Sequence, residues 1–289
     1  MKKELPIYDI TKFQNFNNFN DVYANYLKPH VSKHHFTNLP HKHDFYLVAL
    51  FTHGSGTHEI EFVSYKVEPG ALFIMKPGQM HYWKLSKDVQ GYIYFHSKNF
   101  YDEAYRSMKI NEFSFYKSNQ NQACIKLSGN LLEEIRVLMR KITEEYNAEK
   151  TLKHQKMHAL INLVYVELTR TFYPIEKKKG NGSYLIKVEQ FEELIDNNYK
   201  VMKSASDYAE KLNMTEKHLN RICKDCYNKT STQIITARII LEAKRMLIYG
   251  KFNVTEIAEQ LGYINVSYFV RLFKKNTGVT PRGFLNSYK

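Results

Sequence analysis

The chain has few of the residues that build disulfide frameworks, and it has no long apolar run. Its 289 residues include three cysteines, Cys124, Cys223 and Cys226, which fits a reducing compartment better than a secreted disulfide scaffold. The longest apolar run, FYLVALF at 45–51, is far shorter than the roughly 18 residues of a membrane span. No apolar run follows the lysines of MKKELPIYDI, so a secretory signal is not expected. These features predict a cytoplasmic protein with no membrane partner.

Acidic residues are also scarce relative to basic ones. The chain holds 42 Lys and Arg against 29 Asp and Glu, a formal net charge of +13. The excess is concentrated in residues 177–289, which contain 20 basic and 11 acidic residues. A basic half suggests a polyanionic partner, although solubility alone can also account for such a charge.

Two kinds of periodicity divide the chain. Before about residue 125, the turns GSG, EPG and KPG interrupt short apolar runs, which is typical of an antiparallel sandwich or small barrel. From Ser128 onwards the apolar residues recur at helical spacing. The first stripe is Leu131, Ile135, Leu138, Met139, Ile142 and Tyr146, and the second is Met157, Leu160, Ile161, Val164 and Leu168. These two helices are predicted either to pack on the barrel or to form a dimer seam.

The segment YPIEKKKGNGSY contains a proline, a lysine run and two glycines, which favours a linker. Residues 174–183 are therefore predicted to join a domain at 1–173 to a helical domain at 184–289. The predicted fold class is α+β with two domains. The first is a barrel with two helices, and the second is all-α.

The helical domain contains an internal repeat. SASDYAEKLNMTEKHLNRICKDCYNKTS begins at Ser204, and NVTEIAEQLGYINVSYFVRLFKKNTGVTP begins at Asn253. In each copy a good N-cap starts a short helix, and Asn213 or Gly262 can end it in the left-handed conformation. A second helix follows from Thr215 or Asn265. Two short helices joined by a tight turn form a helix-turn-helix, whose second helix enters the major groove of DNA.

The residues IAEQLGY, YFVRLFKKNTGVTP and the first repeat resemble the DNA-binding domain of AraC/XylS-family transcriptional regulators. The first repeat departs from that family's pattern by carrying Asn228 in place of a glycine, Ser231 in place of a proline, and Cys223 where the second repeat has Phe273. Asn228 can still adopt the left-handed conformation. The resemblance implies contacts with double-stranded DNA from two sets of residues. These are Lys217, Asn220 and Arg221 in the first unit, and Val266, Ser267, Val270 and Arg271 in the second.

Nine of the twelve histidines precede residue 97. HKHDFY places His41 and His43 on one face of a strand, and His81 follows a Pro-Gly turn. These segments resemble the two motifs of a cupin barrel, which AraC-like regulators often carry as their effector domain. A metal-binding cupin would place a glutamate where Leu47 and Val48 stand, so no metal and no cofactor is predicted. Instead, an unknown small organic effector is expected in a pocket lined by His41, His43, Tyr46, His81, Trp83 and Tyr94.

The predicted function is a sequence-specific transcription regulator controlled by a small molecule, and not an enzyme. The helices at 128–173 are expected to dimerise the protein or to couple its domains, and RNA polymerase is a candidate partner. Two alternatives stay open at this point. One is a metal-binding cupin enzyme with a DNA-binding tail, and the other is a constitutive DNA binder whose barrel is only a dimerisation scaffold.

Overall fold

A computed structural model describes residues 5–13, 21–105, 108–117, 123–177, 182–250 and 252–287. Two compact units divide the chain, Pro6–Pro174 and, for the most part, Ile175–Lys289. The first unit combines strands with helices and the second is helical, which confirms the predicted α+β fold class. Within the described residues, no helix is long and apolar enough to cross a membrane.

The first unit is built on two antiparallel sheets. Its strands are β1 Ile7–Tyr8, β2 Val22–Tyr26, β3 Lys42–His43, β4 Tyr46–His53, β5 Gly56–Ile60, β6 Val63–Val67, β7 Ala71–Met75, β8 His81–Leu85, β9 Gln90–His96 and β10 Cys124–Lys126. One sheet has the order β10-β7-β4-β9-β2 and the other the order β6-β5-β8, while β1 pairs with β3 in parallel. Its helices are α1 Leu27–Lys33, α2 Lys98–Ala104, α3 Ser114–Lys117, α4 Gly129–Asn147 and α5 Lys153–Lys177.

Side chains alternate between two cores because successive residues of a strand point to opposite faces. The inner core lies between the two sheets, where Phe51 of β4 contacts Trp83 of β8. The outer core lies on the other face of the five-stranded sheet, where Val48 packs with residues of α4 and α5. Most of the apolar stripe residues of these helices, including Ile135 and Val164, are buried there, and Leu131, Leu138 and Tyr146 pack against the same core while partly exposed. The two helices are therefore a packing layer of their own unit.

The second unit is a series of helices. They are α6 Gly182–Asn198, α7 Ala205–Lys211, α8 Glu216–Tyr227, α9 Ser231–Tyr249, α10 Val254–Gln260, α11 Val266–Thr277 and α12 Pro281–Ser287. One core joins them and contains Phe191 of α6, Leu219 of α8, Ile239 of α9 and Phe269 of α11. The segment predicted as a linker, 174–183, is shorter in the structure. Helix α5 continues to Lys177 and α6 begins at Gly182, so only 178–181 lie outside the described residues.

Candidate nucleic-acid interface and effector site

The second unit contains two helix-turn-helix units, α7–α8 and α10–α11. All four predicted N-caps are present, since the side chains of Ser204, Thr215, Asn253 and Asn265 each accept a backbone N–H of the helix that follows. The turns are left-handed at Asn213 (φ 53°) and Gly262 (φ 77°), as predicted. Gly262 is required for a second reason. A Cβ at this position would lie 2.0 Å from the carbonyl oxygen of Lys200.

Helix α8 buries one face and exposes a basic one. Leu219, Ile222, Cys223 and Cys226 lie in the core, and burial raises the pKa of the Cys223 thiol to about 12. Lys217, Arg221 and Lys224 are exposed on the opposite face. They line an open groove of about 960 Å³ whose other lining residues are Thr215, Glu216, His218, Asn220, Asp225, Thr230 and Thr232. A helix with this cationic face is suited to a phosphate-rich partner.

Asn220, by contrast, has partners within its own unit. Its side-chain oxygen Oδ1 accepts hydrogen bonds from the backbone nitrogen of Ser231 at 2.9 Å and from the Ser231 hydroxyl at 2.8 Å. Bidentate recognition of adenine needs both the oxygen and the nitrogen of the amide. Because the oxygen already holds the first residue of α9, the structure makes Asn220 a support of the helix junction.

The side chains of α11 are divided between its buried and exposed faces differently from the prediction. Val266 and Val270 are half-buried and pack against the core beside the fully buried Phe269 and Phe273. These four residues follow the i, i+3, i+4, i+7 spacing of one stripe. The valines therefore flank the apolar face of α11, although the sequence suggested that they belong to its wet face.

The exposed face of α11 carries Ser267 and Arg271, as predicted, and a further residue, Tyr268, with half of its surface exposed. Ile264, in the turn before α11, is fully exposed. Sequence reasoning missed both residues. The available signal was the turn itself, which is one residue longer in the second repeat than in the first and so presents an extra side chain.

Four of the six predicted effector residues meet between the two sheets of the first unit. His41 and His81 pair through an isolated β-bridge, with ring centroids 4.3 Å apart. His43 lies 5.0 Å and Trp83 5.6 Å from the His81 ring, and all four side chains are about 1 % exposed.

His58 belongs to the same cluster but was absent from the predicted pocket. Its Nε2 lies 2.8 Å from Nδ1 of His81 in a histidine–histidine hydrogen bond. The alternation of β5 was the available signal, because His58 is the cross-strand partner of Trp83 and lies two residues from the inward-facing Ile60. We call His41, His43, His58 and His81 the histidine cluster.

The histidine cluster is neutral near pH 7 because burial opposes charge. Burial lowers the pKa of His41 to about 4 and that of His43 to about 3, and it lowers those of His58 and His81 well below the usual range. His41 and His43 each donate Nδ1–H to a backbone carbonyl, of Leu39 and Phe45 respectively, at 2.8 Å. These bonds fix the tautomers and leave Nε2 of each ring as an acceptor.

Several polar atoms of this interior have no hydrogen-bond partner among the described residues. They are Nε2 of His43, Nδ1 of His58, Nε2 of His81 and Nε1 of Trp83. Buried polar groups are normally hydrogen-bonded, so atoms of this kind indicate a place for a ligand or water. Across the residues that the structure describes, no group of three or more His, Cys, Asp or Glu side chains is arranged to hold a metal ion.

Tyr46 and Tyr94 lie on the other face of the same sheet. Each is one residue away from an inward-facing phenylalanine, Phe45 or Phe95, and strand alternation therefore points the tyrosines into the outer core. Tyr46 donates its hydroxyl to Asn111 Oδ1, and the Tyr94 ring contacts Tyr165 of α5. These two residues do not join the histidine cluster.

Comparisons with known proteins assign both units. An AraC-like ligand binding domain matches residues 26–161, and a helix-turn-helix domain matches residues 208–287. The HTH-type transcriptional activator RhaS of Mannheimia succiniciproducens is 23% identical over 249 residues, which are 84% of this chain and 87% of RhaS. The uncharacterized HTH-type transcriptional regulator YfiF of Bacillus subtilis is 22% identical over 258 residues, 88% of this chain and 81% of YfiF. Among solved structures, unsaturated fatty acid-bound ToxT from Vibrio cholerae is 17% identical, covers 94% of this chain and 97% of ToxT, and has a TM-score of 0.41.

Proposed function

Because the chain belongs to the AraC family of transcription regulators, which bind DNA through helix-turn-helix units and an effector through the amino-terminal domain, we propose that Arg221 and Arg271 read its target. The observation that carries this proposal is their matched position. Both arginines are exposed on the second helix of their unit, at the same step of the repeat. A guanidinium can bond guanine O6 and N7 bidentately in the major groove.

Exposure of the side chains suggests the remaining DNA contacts. Lys217 and Ser267 occupy matched positions in the first turns of α8 and α11, where side chains reach base edges or phosphates. Asn220, Val266 and Val270 support the fold and contribute to binding only indirectly. The first unit therefore presents two exposed cationic candidates, Lys217 and Arg221, whereas the second presents Arg271 beside the neutral Ser267. We expect changes in α8 to alter target choice more than changes at Val266 or Val270.

Selection of bound fragments from a random DNA pool, with the full chain, would identify the target and test the proposal. Arg221→Ala and Arg271→Ala should each relax preference at one base position, by about 1–3 kcal/mol of discrimination. Arg282→Ala removes an exposed arginine of α12 outside both recognition helices and is the matched control, expected to keep the preference. Equal and weak affinity for all DNA, with only a salt-dependent component, would contradict sequence-specific regulation.

We place the effector in the histidine cluster. The support is the group of buried ring nitrogens without partners at His43, His58 and His81, which a small organic molecule with hydrogen-bonding groups could satisfy. A ligand that binds the folded state raises the unfolding temperature as its concentration increases. A thermal-shift screen would therefore find it, and His58→Asn should abolish the shift while His35→Asn, at an exposed position, should not.

Two results would redirect this assignment. If no metabolite stabilises the barrel or changes DNA binding, the alternative of a constitutive DNA binder is favoured. Stoichiometric metal in the purified protein, with loss of DNA binding on chelation, would instead favour the metal cupin.

The proposal also includes a cytoplasmic homodimer that acts with RNA polymerase and has no catalytic activity. The buried stripe residues of α4 and α5 are packed in the outer core of their own unit, so a dimer surface would use exposed residues of the chain. Light scattering of the full chain measures the oligomeric state, and a monomer at the concentration that binds DNA would contradict the dimer.

A further inference from the structure

The two matched arginines have different surroundings. Nη2 of Arg221 donates a hydrogen bond to Nδ1 of His218 at 2.9 Å, and its guanidinium carbon lies 5.7 Å from the centre of the Tyr184 ring. Arg271 is exposed and makes no hydrogen bond, ion pair or ring contact with any residue that the structure describes. One arginine is therefore held in place, and the other is not.

The residue that distinguishes them is Tyr184, in the first turn of α6. Its half-buried side chain packs against the core of the helical unit, so the ring has a fixed base. It also meets His218 edge-on, with ring centroids 5.8 Å apart at 86°. Tyr184, His218 and Arg221 thus contact one another in pairs, and we call the three residues the Arg221 clamp.

Each contact of the clamp restricts the guanidinium in a defined way. The face of an aromatic ring is negative and attracts a cation placed over it. The hydrogen bond to His218 adds a direction, and because arginine only donates, the imidazole must carry its proton on Nε2. A long side chain that is already restricted loses less conformational entropy when it binds, so its preferred base gains an advantage.

We propose that Tyr184 is a positioning residue for Arg221, and that base reading by the first helix-turn-helix unit therefore depends on the first turn of α6. This inference rests on the proposed role of Arg221 in DNA reading. The first turn of α6 is where the chain enters the helical unit, directly after the segment that follows α5. Any rearrangement of this turn would change recognition by α8 and leave Arg271 of α11 unaffected.

The test compares Tyr184→Ala, Tyr184→Phe and Tyr184→Leu in the full chain, with DNA obtained by fragment selection. Arg221→Ala first identifies the base position that Arg221 reads. At that position Tyr184→Ala and Tyr184→Leu should each lose about two- to fivefold of discrimination, the range expected for a cation–π contact at an exposed site. Tyr184→Phe keeps the ring and should keep the discrimination. The leucine variant fills much of the same volume, and its result stands if the alanine variant does not fold.

Three controls separate positioning from a general structural effect. Ile186→Ala changes an exposed residue on the same helix, 55 % exposed, and should match the unmodified protein. The base position read by Arg271 should be unchanged in every Tyr184 variant. In an Arg221→Ala background, Tyr184→Ala should have no further effect on base preference.

The inference is overturned if the Tyr184 variants weaken binding to all DNA equally, if discrimination is unchanged, or if the loss persists without Arg221. If Arg221→Ala itself leaves base preference intact, the proposed function of Arg221 fails and the inference fails with it. If Arg221→Ala relaxes the preference but Tyr184→Leu does not, the proposed function stands and only the role of Tyr184 is wrong.

Discussion

The histidine cluster should make the barrel sensitive to mild acid. His41 and His43 have folded-state pKa values of about 4 and about 3, whereas an unfolded histidine titrates near 6.5. Between these values the unfolded chain binds more protons than the folded one, so stability falls as the pH decreases. The stability that these two neutral histidines contribute is present above about pH 6.5 and is lost progressively as the pH falls towards their folded pKa values.

The expected size follows from the same pKa values. From about pH 7 to about pH 5.5, each of these two histidines should remove about 1 kcal/mol of unfolding free energy. His43→Phe is the informative variant because the His43 ring stacks on Phe45, at 4.4 Å and 9°, and phenylalanine can keep that stacking. The variant loses the hydrogen bond to the Phe45 carbonyl and should be less stable near pH 7, at a cost of about 1–3 kcal/mol. The unfolding free energy that the variant loses between about pH 7 and about pH 5.5 should nevertheless be about 1 kcal/mol smaller than in the unmodified protein.

The assay can follow this unit alone. Trp83 is the only tryptophan of the chain and lies within the inner core beside the histidine cluster, so its fluorescence reports unfolding of the barrel. Urea titrations at each pH give the unfolding free energy. His35→Gln, at an exposed position of the same unit, should leave the pH dependence unchanged. Equal pH dependence in His43→Phe and in the unmodified protein would refute the assignment of a buried, neutral His43.

Two further predictions concern the helical unit. Gly262→Ala should lower its unfolding free energy by about 3 kcal/mol, because a Cβ would meet the Lys200 carbonyl in a left-handed turn. Gly278→Ala, at φ 80° with open space around the Cβ, should cost only about 1 kcal/mol, and equal costs measured by chemical denaturation would contradict the role given to Lys200. Asn220→Ala should lower stability by about 1–2 kcal/mol because the buried Ser231 loses its acceptor. The variant should keep its base preference in fragment selection, and a changed preference at one base would return Asn220 to the set of reading residues.

Local chemistry was sufficient to predict the repeat. Four N-caps and the left-handed residues Asn213 and Gly262 were read correctly, since each depends only on a few neighbouring residues. Strand alternation likewise placed His41 and His43 together. Strand alternation also places Tyr46 and Phe45 on opposite faces of the sheet. Deciding which of the two faces the inner core requires knowing which side of the sheet the helices cover.

The sequence could not show where tertiary contacts constrain a side chain. Asn220 looks like a base-reading residue on a helical wheel, yet Ser231, eleven positions later in the chain, takes its oxygen. Val266 and Val270 look exposed if the apolar face is narrow, but α11 buries a wider stripe against the core. The predicted linker at 174–183 was read from its composition, whereas α5 continues through its first four residues.

The two recognition helices are therefore similar in sequence and different in construction. In α8 the arginine contacts the Tyr184 ring of α6, and the side-chain amide of the preceding residue, Asn220, fixes the start of α9. An open groove lined by Lys217, Arg221 and Lys224, together with Glu216 and Asp225, lies beside this helix. In α11 the arginine has no such contact with the residues that the structure describes, and Tyr268 and Ile264, before it in the chain, are exposed. A restrained guanidinium favours discrimination between bases, whereas an unrestrained one can adapt to several bases at greater entropic cost. Target choice should consequently depend more on α8, while α11 contributes affinity that varies less with sequence.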